Sequence, residues 1–185
     1  KKPSVLARRI VASSQLFCIE SLDLRFSNGV ERTYERLVGR GNKLGSVMIV
    51  AMLDRTHALL IEEYCGGTDN YQLSLPKGLI DKGESALDAA NRELKEETGY
   101  GAHQLEHITE LSLSPGYMSQ KIQIILATNL YPERLAGDEP EPIKLDKINL
   151  NELVLLANKT GFSEGRALAA LYLVRDLLTQ RGLFP

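Results

Sequence analysis

The sequence has few cysteines, no run of basic residues and no long apolar segment, and each shortage excludes a class of protein. Cys18 and Cys65 are too few for a disulfide framework and lack metal or redox spacing, so we expect reduced thiols in a cytoplasmic protein. No apolar run approaches the roughly 20 residues that a membrane helix needs, and no signal-peptide core is present near the N-terminus. A net charge of −2 without a basic, aromatic-rich stretch predicts no nucleic-acid partner, and we expect no membrane partner either.

What remains is the composition of an ordinary globular protein. The 185 residues are 43% apolar and 25% charged, which suits one domain, or one domain with a small appendage. No internal repeat and no low-complexity segment is found. Composition alone therefore leaves the function open.

The N-terminal part predicts a β-hairpin. Residues 1–15 are polar, and we expect them to be loosely ordered; residues 16–27 and 30–38 read as two strands. Asn28-Gly29 between them is a strong hairpin signal that favours two residues at positive φ. A lone two-stranded hairpin is marginal, so it should pack on the main domain or on a second copy.

The loop at 39–42 is the predicted boundary between an N-terminal hairpin and dimerisation segment, 1–43, and a main domain, 44–185. In the main domain the patterns predict strands at 46–53, 57–64, 71–76, 103–113, 121–130 and 143–148, a helix from Ser85 to Gly99, a short helix capped by Asn151 and a longer one capped by Ser163. Strands in the middle with helices between and after them predict an α/β protein with a mixed sheet covered by helices.

The helix within residues 78–100 carries the residues that point to chemistry. Ser85 is its expected N-cap, with Asp88 returning the bond as in a capping box, and Gly99 is its expected left-handed stop. The apolar stripe at helical spacing consists of Leu87, Ala90 and Leu94.

Three carboxylates share a neighbouring face of this helix, at Glu93, Glu96 and Glu97. Like charges at this spacing repel, so helix stability alone does not favour them. A solvated acidic helix is one interpretation. The other is a hard-cation site, because the preceding loop could add Glu84 and the carbonyl of Gly78, and an all-oxygen set suits Mg²⁺ or Mn²⁺ rather than zinc. Such sites commonly bind the ion together with substrate phosphates.

At this point the stretch resembles the Nudix hydrolase family. The matching residues are Gly78, then Glu84 after five residues, Arg92-Glu93-Leu94 after seven more, Glu96-Glu97 after one, and Gly99-Tyr100 after one. The resemblance implies a Nudix-type α/β/α sandwich with a mixed β-sheet. An added N-terminal β-hairpin subdomain is typical of the members that hydrolyse ADP-ribose and related compounds, where it commonly mediates homodimers.

The resemblance also implies roles for the box residues. Glu93 and Glu97 would hold Mg²⁺ (or Mn²⁺), with Glu96 and Glu84 assisting and the carbonyl of Gly78 or Lys77 as a further ligand. Arg92 would buttress the acids by pairing with Glu84 or its neighbours. Glu96 and Arg92 are thus candidate catalytic residues.

Two further segments are candidates for binding and catalysis. The residues that we expect to bind substrate are Pro115, Gly116, Tyr117 and Lys77. Pro115 lies 16 residues after Gly99, as in the ADP-ribose pyrophosphatase group, although a plain turn is the alternative. In the acidic loop at 131–142, Glu139 is the first choice and Glu141 the second for the base that deprotonates the attacking water; a solvated acidic loop is the alternative.

Three departures separate this chain from the ADP-ribose hydrolase pattern. Pro76-Lys77-Gly78 replaces Pro-Ala-Gly, Glu63-Tyr64-Cys65 replaces Gln-Tyr-Arg, and Gln120-Lys121 stands where a Glu often follows. The resemblance nevertheless implies a pyrophosphohydrolase that cleaves ADP-X compounds, such as ADP-ribose, diadenosine triphosphate and NADH, to AMP and X-phosphate. The alternatives are a Nudix hydrolase of other nucleotides, an mRNA cap or a diphosphoinositol phosphate, and a non-catalytic module that binds ADP-ribose.

Overall fold

The structure, a computed structural model, describes residues 1–39 and 45–185 and divides into two compact units. The N-terminal unit is the described part of Lys1–Lys43 together with Ser112–Lys121, and the main unit is the described part of Leu44–Leu111 together with Ile122–Pro185. The linker predicted at 39–42 lies, apart from Gly39, outside the described residues. The predicted domains, 1–43 and 44–185, stay a prediction.

The N-terminal unit contains an antiparallel sheet of three strands in the order β1-β2-β3. Its strands are β1 (Ser4–Ser13), β2 (Phe17–Arg25) and β3 (Glu31–Gly39). The predicted hairpin is the β2-β3 pair. Of the two turn residues only Gly29 has a positive φ, because the Phe26 N–H donates to the carbonyl of Val30 and the loop is longer than two residues.

The expectation of loose order at residues 1–15 was wrong, since β1 pairs along its length with β2. Nearly every side chain of β1 is exposed, so no apolar alternation marks the strand in the sequence. Backbone pairing defines it instead, with the guanidinium of Arg9 on the carboxylate of Asp23 across the pair. The N-terminal element is therefore a three-stranded sheet rather than a hairpin.

The main unit has two sheets and three α-helices. Its strands are β4 (Ser46–Ala51), β5 (His57–Cys65), β6 (Asn70–Ser74), β7 (Lys77–Leu79), β8 (Tyr100–Ser112), β9 (Lys121–Pro132) and β10 (Lys144–Asn149). Its helices are α1 (Ala86–Thr98), α2 (Leu153–Ala157) and α3 (Gly165–Gln180), with a 3-10 turn at Leu150–Glu152. One sheet runs β10-β5-β6 and the other β7-β4-β9-β8; β4 is parallel to β9 and antiparallel to β7, so the second sheet is mixed.

The fully buried strand β4 separates two hydrophobic clusters. Side chains alternate between the faces of a strand, and Met48 and Val50 pack with α2 and α3, while Val47 and Ile49 pack with α1. The predicted α/β/α sandwich is confirmed. Among the residues described, no helix is long and apolar enough to span a membrane.

Two predicted helix caps were displaced by one or two residues. Asn149 rather than Asn151 caps the 3-10 turn that precedes α2. Glu164 rather than Ser163 caps α3, and the hydroxyl of Ser163 donates to Gln72 on β6.

Candidate active site

Helix α1 begins and ends as predicted. The Ser85 hydroxyl oxygen accepts from the Asp88 N–H at 3.2 Å and donates to the Asp88 carboxylate at 2.6 Å, so Asp88 returns the bond to the hydroxyl rather than to the backbone. Gly99 ends the helix with a φ of 77°. In the predicted apolar stripe Ala90 and Leu94 are buried, whereas Leu87 is exposed and was wrongly included.

Arg92 is the centre of the acidic face. Its Nε and Nη2 atoms donate to the two carboxylate oxygens of Glu84, each at 3.0 Å. Its Nη1 atom donates to Glu93 at 2.8 Å and to Glu96 at 3.0 Å, and Nη2 also reaches the carbonyl of Leu79. The loop before α1 thus folds back over the acids, and the guanidinium lowers the pKa of Glu84.

Glu97 is the buried member of the group, with 5% of its surface exposed. Its carboxylate accepts a 2.9 Å hydrogen bond from the backbone N–H of Lys77 in β7. Burial raises the pKa of Glu97 to about 8, although the charge of Lys77 acts in the opposite direction. Burial also raises the pKa of Glu93. Burial thus shifts the titration of both acids toward higher pH, and a bound cation would oppose this shift.

The Lys77 side chain is paired with Glu63 from β5. Burial lowers the pKa of the ammonium group, with neighbouring carboxylates opposing the shift. One residue thus positions Glu97 through its backbone and joins β5 through its side chain. The predicted contact of Lys77 with substrate stays a prediction.

Gly78 leaves the space that the Glu93 carboxylate fills. A Cβ atom at this position would overlap all three atoms of that carboxylate. The short strand β7 therefore brings its backbone against the acid side chain, which is the close approach that glycine permits.

The donor set of the box suits a hard divalent ion, because it consists of carboxylates and backbone carbonyls. As the acids stand, no group of three ligating side chains among the described residues is arranged to hold an ion. Arg92 accounts for this, since its nitrogen atoms bind Glu84, Glu93 and Glu96.

The two loop acids proposed as the base differ in their surroundings. Glu139 is half-buried, and its negative charge helps to raise the pKa values of Glu93 and Glu97. Glu141 is exposed and accepts a 2.5 Å hydrogen bond from the hydroxyl of Tyr71. Glu139 is therefore the loop acid whose charge acts on Glu93 and Glu97.

The other predicted substrate residues belong to the N-terminal unit. Pro115 and Gly116 lie in the turn from Ser114 to Tyr117, and the Tyr117 carbonyl accepts from the N–H of Leu37 at 2.7 Å. The Tyr117 side chain is exposed. Their binding role stays a prediction.

The sequence reasoning missed the pairing of Lys77 with Glu63 and of Tyr71 with Glu141. A signal for the first existed, because Lys77 and Glu63 are both departures from the ADP-ribose hydrolase pattern and carry opposite charges. The second has no such signal, since Tyr71 and Glu141 are 70 residues apart.

The family follows from this geometry together with comparison to known proteins. A NUDIX domain model matches residues 43–168, and a NudE-type Nudix hydrolase N-terminal domain model matches residues 3–36. This chain belongs to the Nudix family. The resemblance found in the box is thereby confirmed.

Known proteins align with this chain over nearly its whole length. This chain is 48% identical to the ADP compounds hydrolase NudE of Escherichia coli over 182 aligned residues. The alignment covers 98% of this chain and 96% of that protein. This chain is 27% identical to the ADP-ribose pyrophosphatase of Bacillus subtilis, over 91% and 93% of the two chains. A crystal structure of ADP compounds hydrolase matches with a TM-score of 0.90 at 48% identity, over 99% of this chain and 97% of the other.

Proposed function

We propose that this Nudix protein hydrolyses the diphosphate of ADP compounds and releases AMP and the phosphate of the second group. The observation that carries the proposal is the complete set of box acids, gathered around Arg92 and buried at Glu97. The similarity to an ADP compounds hydrolase over nearly the whole chain supports the substrate class. ADP-ribose, NADH and diadenosine triphosphate are the expected substrates.

Nudix hydrolases generally need divalent ions, and Mg²⁺ or Mn²⁺ fits the oxygen donors of this box. Glu93 and Glu97 would hold the ion, with Glu96, Glu84 and the carbonyl of Gly78 in support. When bound, the ion neutralises phosphate charge and makes water more acidic.

The other steps belong to the protein's own groups. Arg92 keeps Glu84 fixed through two parallel hydrogen bonds, and the backbone N–H of Lys77 fixes Glu97. Glu139 takes the proton of the attacking water at its carboxylate, because it is the loop acid whose charge reaches Glu93 and Glu97. Pro115, Gly116 and Tyr117 would contact the nucleotide.

The N-terminal sheet supports a homodimer, and the free thiols of Cys18 and Cys65 support a cytoplasmic protein. Its strands and the turn between the first two expose large apolar side chains, namely Val5, Leu6, Ile10, Val11, Leu16 and Phe17. Large apolar side chains that are exposed in this number are commonly covered by a partner. Sedimentation equilibrium would give twice the chain mass if this is correct, and the mass of one chain if it is not.

A substrate panel tests the proposal. Purified protein with Mg²⁺ or Mn²⁺ is given ADP-ribose, NADH, diadenosine triphosphate and a set of nucleoside triphosphates, and products are separated by chromatography. AMP from the first three, abolished by a chelator, is the expected result. Cleavage of triphosphates alone would reject the ADP-compound assignment, and binding of ADP-ribose without turnover would indicate a sensor.

A further inference from the structure

An ion pair between Lys77 and Glu63 joins the two sheets of the main unit. Lys77 belongs to β7 in the four-stranded sheet, and Glu63 belongs to β5 in the three-stranded sheet. The two side chains are only 23% and 24% exposed, and the Glu63 oxygen that contacts the ammonium group is itself buried. Loss of one member would therefore leave the other charge largely buried and without this partner.

Lys77 also lies next to the acids assigned to the metal ion. Its backbone N–H donates to Glu97 at 2.9 Å, and the residue after it is Gly78, where a Cβ atom would overlap the Glu93 carboxylate. Burial is the largest influence on the pKa of Lys77 and of Glu97, and the charge of each residue then acts on the pKa of the other. The ammonium group is thus near enough to Glu97 to compete with a cation for it.

Two other carboxylates whose charges act on Lys77 are already bound by arginine. Glu164, which caps α3, accepts from the Nε and Nη2 atoms of Arg166 at 2.9 and 2.8 Å. Glu93 accepts from Arg92 at 2.8 Å. These two acids are therefore occupied, and the ammonium group pairs with a third.

The choice of that third acid lies between Glu63 and Glu97. A lysine ammonium ends a flexible four-carbon stem with rotatable donors, so it can change its partner. The stem of Lys77 begins at the residue whose N–H already holds Glu97, so the ammonium can fold back to that carboxylate when Glu63 does not hold it. An ammonium on Glu97 would neutralise the charge and cover the oxygen atoms that a divalent ion needs.

We propose that Glu63 is a positioning residue of the metal site, which keeps the Lys77 ammonium on β5 and so leaves the Glu97 carboxylate for the ion. Glu63 acts through Lys77 and does not touch the ion itself. The inference rests on the proposed function, because it takes Glu97 as a metal ligand.

Titration calorimetry with Mn²⁺ in the absence of substrate tests the inference. Glu63→Gln keeps the size of the side chain and removes its charge, so it should raise the Kd for Mn²⁺ about 10- to 100-fold. Adding Lys77→Met to Glu63→Gln removes the competing ammonium group. This double variant should therefore bind Mn²⁺ within about threefold of the wild type.

Glu20→Gln is the matched control, because Glu20 is also largely buried and is bound by Arg36 through Nε and Nη2 at 2.7 and 2.6 Å, within the N-terminal unit. It should leave the Kd unchanged. Urea unfolding of each variant separates a loss of stability from a loss of metal binding.

Recovery in the double variant decides between competition and simple support of β7. If the pair only supports the strand, the double variant should bind Mn²⁺ as weakly as Glu63→Gln, and that result would overturn the inference. It decides even if Glu63→Gln does not fold, because the double variant leaves no unpaired charge in the pair. Wild-type affinity in Glu63→Gln would also overturn the inference while the metal site stands. A wild type that binds no Mn²⁺ would overturn both.

Discussion

Arg92 binds both carboxylate oxygens of Glu84, a residue eight positions earlier in the chain, at 3.0 Å each. This fork–fork contact fixes the entry loop against α1, and the remaining nitrogen of the guanidinium lies between Glu93 and Glu96. The positive charge of the guanidinium therefore offsets the repulsion among these acids, as a bound metal ion would.

Replacing Arg92 by lysine should destabilise the metal-free protein by about 2 kcal/mol, because an ammonium group cannot make the two parallel bonds. Mg²⁺ should restore part of the loss by neutralising the acids. Urea unfolding with and without Mg²⁺ measures both effects. Arg181→Lys is the control, since Arg181 also makes a two-point contact, through Nη1 and Nη2, but with exposed Glu106, and its replacement should cost clearly less. Equal losses in the two variants would contradict the assigned role of Arg92.

Gly78→Ala should lower metal affinity or turnover by about tenfold or more without unfolding the protein. The added methyl group needs the space that the Glu93 carboxylate occupies, so the acid must move. Gly67→Ala is the matched control, because nothing lies within 4 Å of a Cβ atom there. Titration calorimetry with Mn²⁺ and steady-state kinetics compare the two, and normal metal binding by Gly78→Ala would reject the proposed position of Glu93.

The two loop acids should respond differently to the same change. Glu139→Gln should lower kcat by about 10²–10⁴-fold, as expected for loss of a general base. Glu141→Gln should change kcat by less than about tenfold, because this exposed carboxylate is hydrogen-bonded to Tyr71. Kinetics of both variants across pH measure the difference, and the opposite pattern would assign the base to Glu141.

Metal binding should release a proton near neutral pH. Burial raises the pKa of Glu97 to about 8, so at pH 7 the metal-free carboxyl is mostly protonated, and an ion must displace that proton. Apparent affinity for Mn²⁺ should therefore rise about tenfold per pH unit below pH 8. Calorimetry in two buffers of different ionisation enthalpy counts the protons released. Affinity independent of pH would show that Glu97 is already ionised in the metal-free protein.

Local patterns in the sequence were sufficient to predict the box helix. Ser85 fixes its start by a hydrogen bond to Asp88, and Gly99 fixes its end by a left-handed backbone. Both features involve only neighbouring residues. Strand β1 could not be predicted this way, because pairing with β2 rather than burial defines it. Strand β7 was missed because three residues carry no periodicity; it exists through pairing with β4.

In the candidate site, too, contacts between residues of one motif could be predicted, and contacts between distant segments could not. Arg92 and Glu84 could be paired from their family spacing, and the structure has them in contact. The contacts of Tyr71 with Glu141 and of Lys77 with Glu63 join distant segments, and only the folded chain brings them together.

The most direct test of the account is turnover of ADP-ribose by Glu97→Gln beside the wild type, in Mg²⁺ and in chelator. The wild type should give AMP and ribose 5-phosphate in equal amounts, and only with the ion present. Glu97→Gln keeps the size of the buried side chain and should fold normally, yet it should not turn over substrate, since glutamine lacks the negative charge that holds the ion. Turnover by a folded Glu97→Gln at the rate of the wild type would contradict the metal-site assignment.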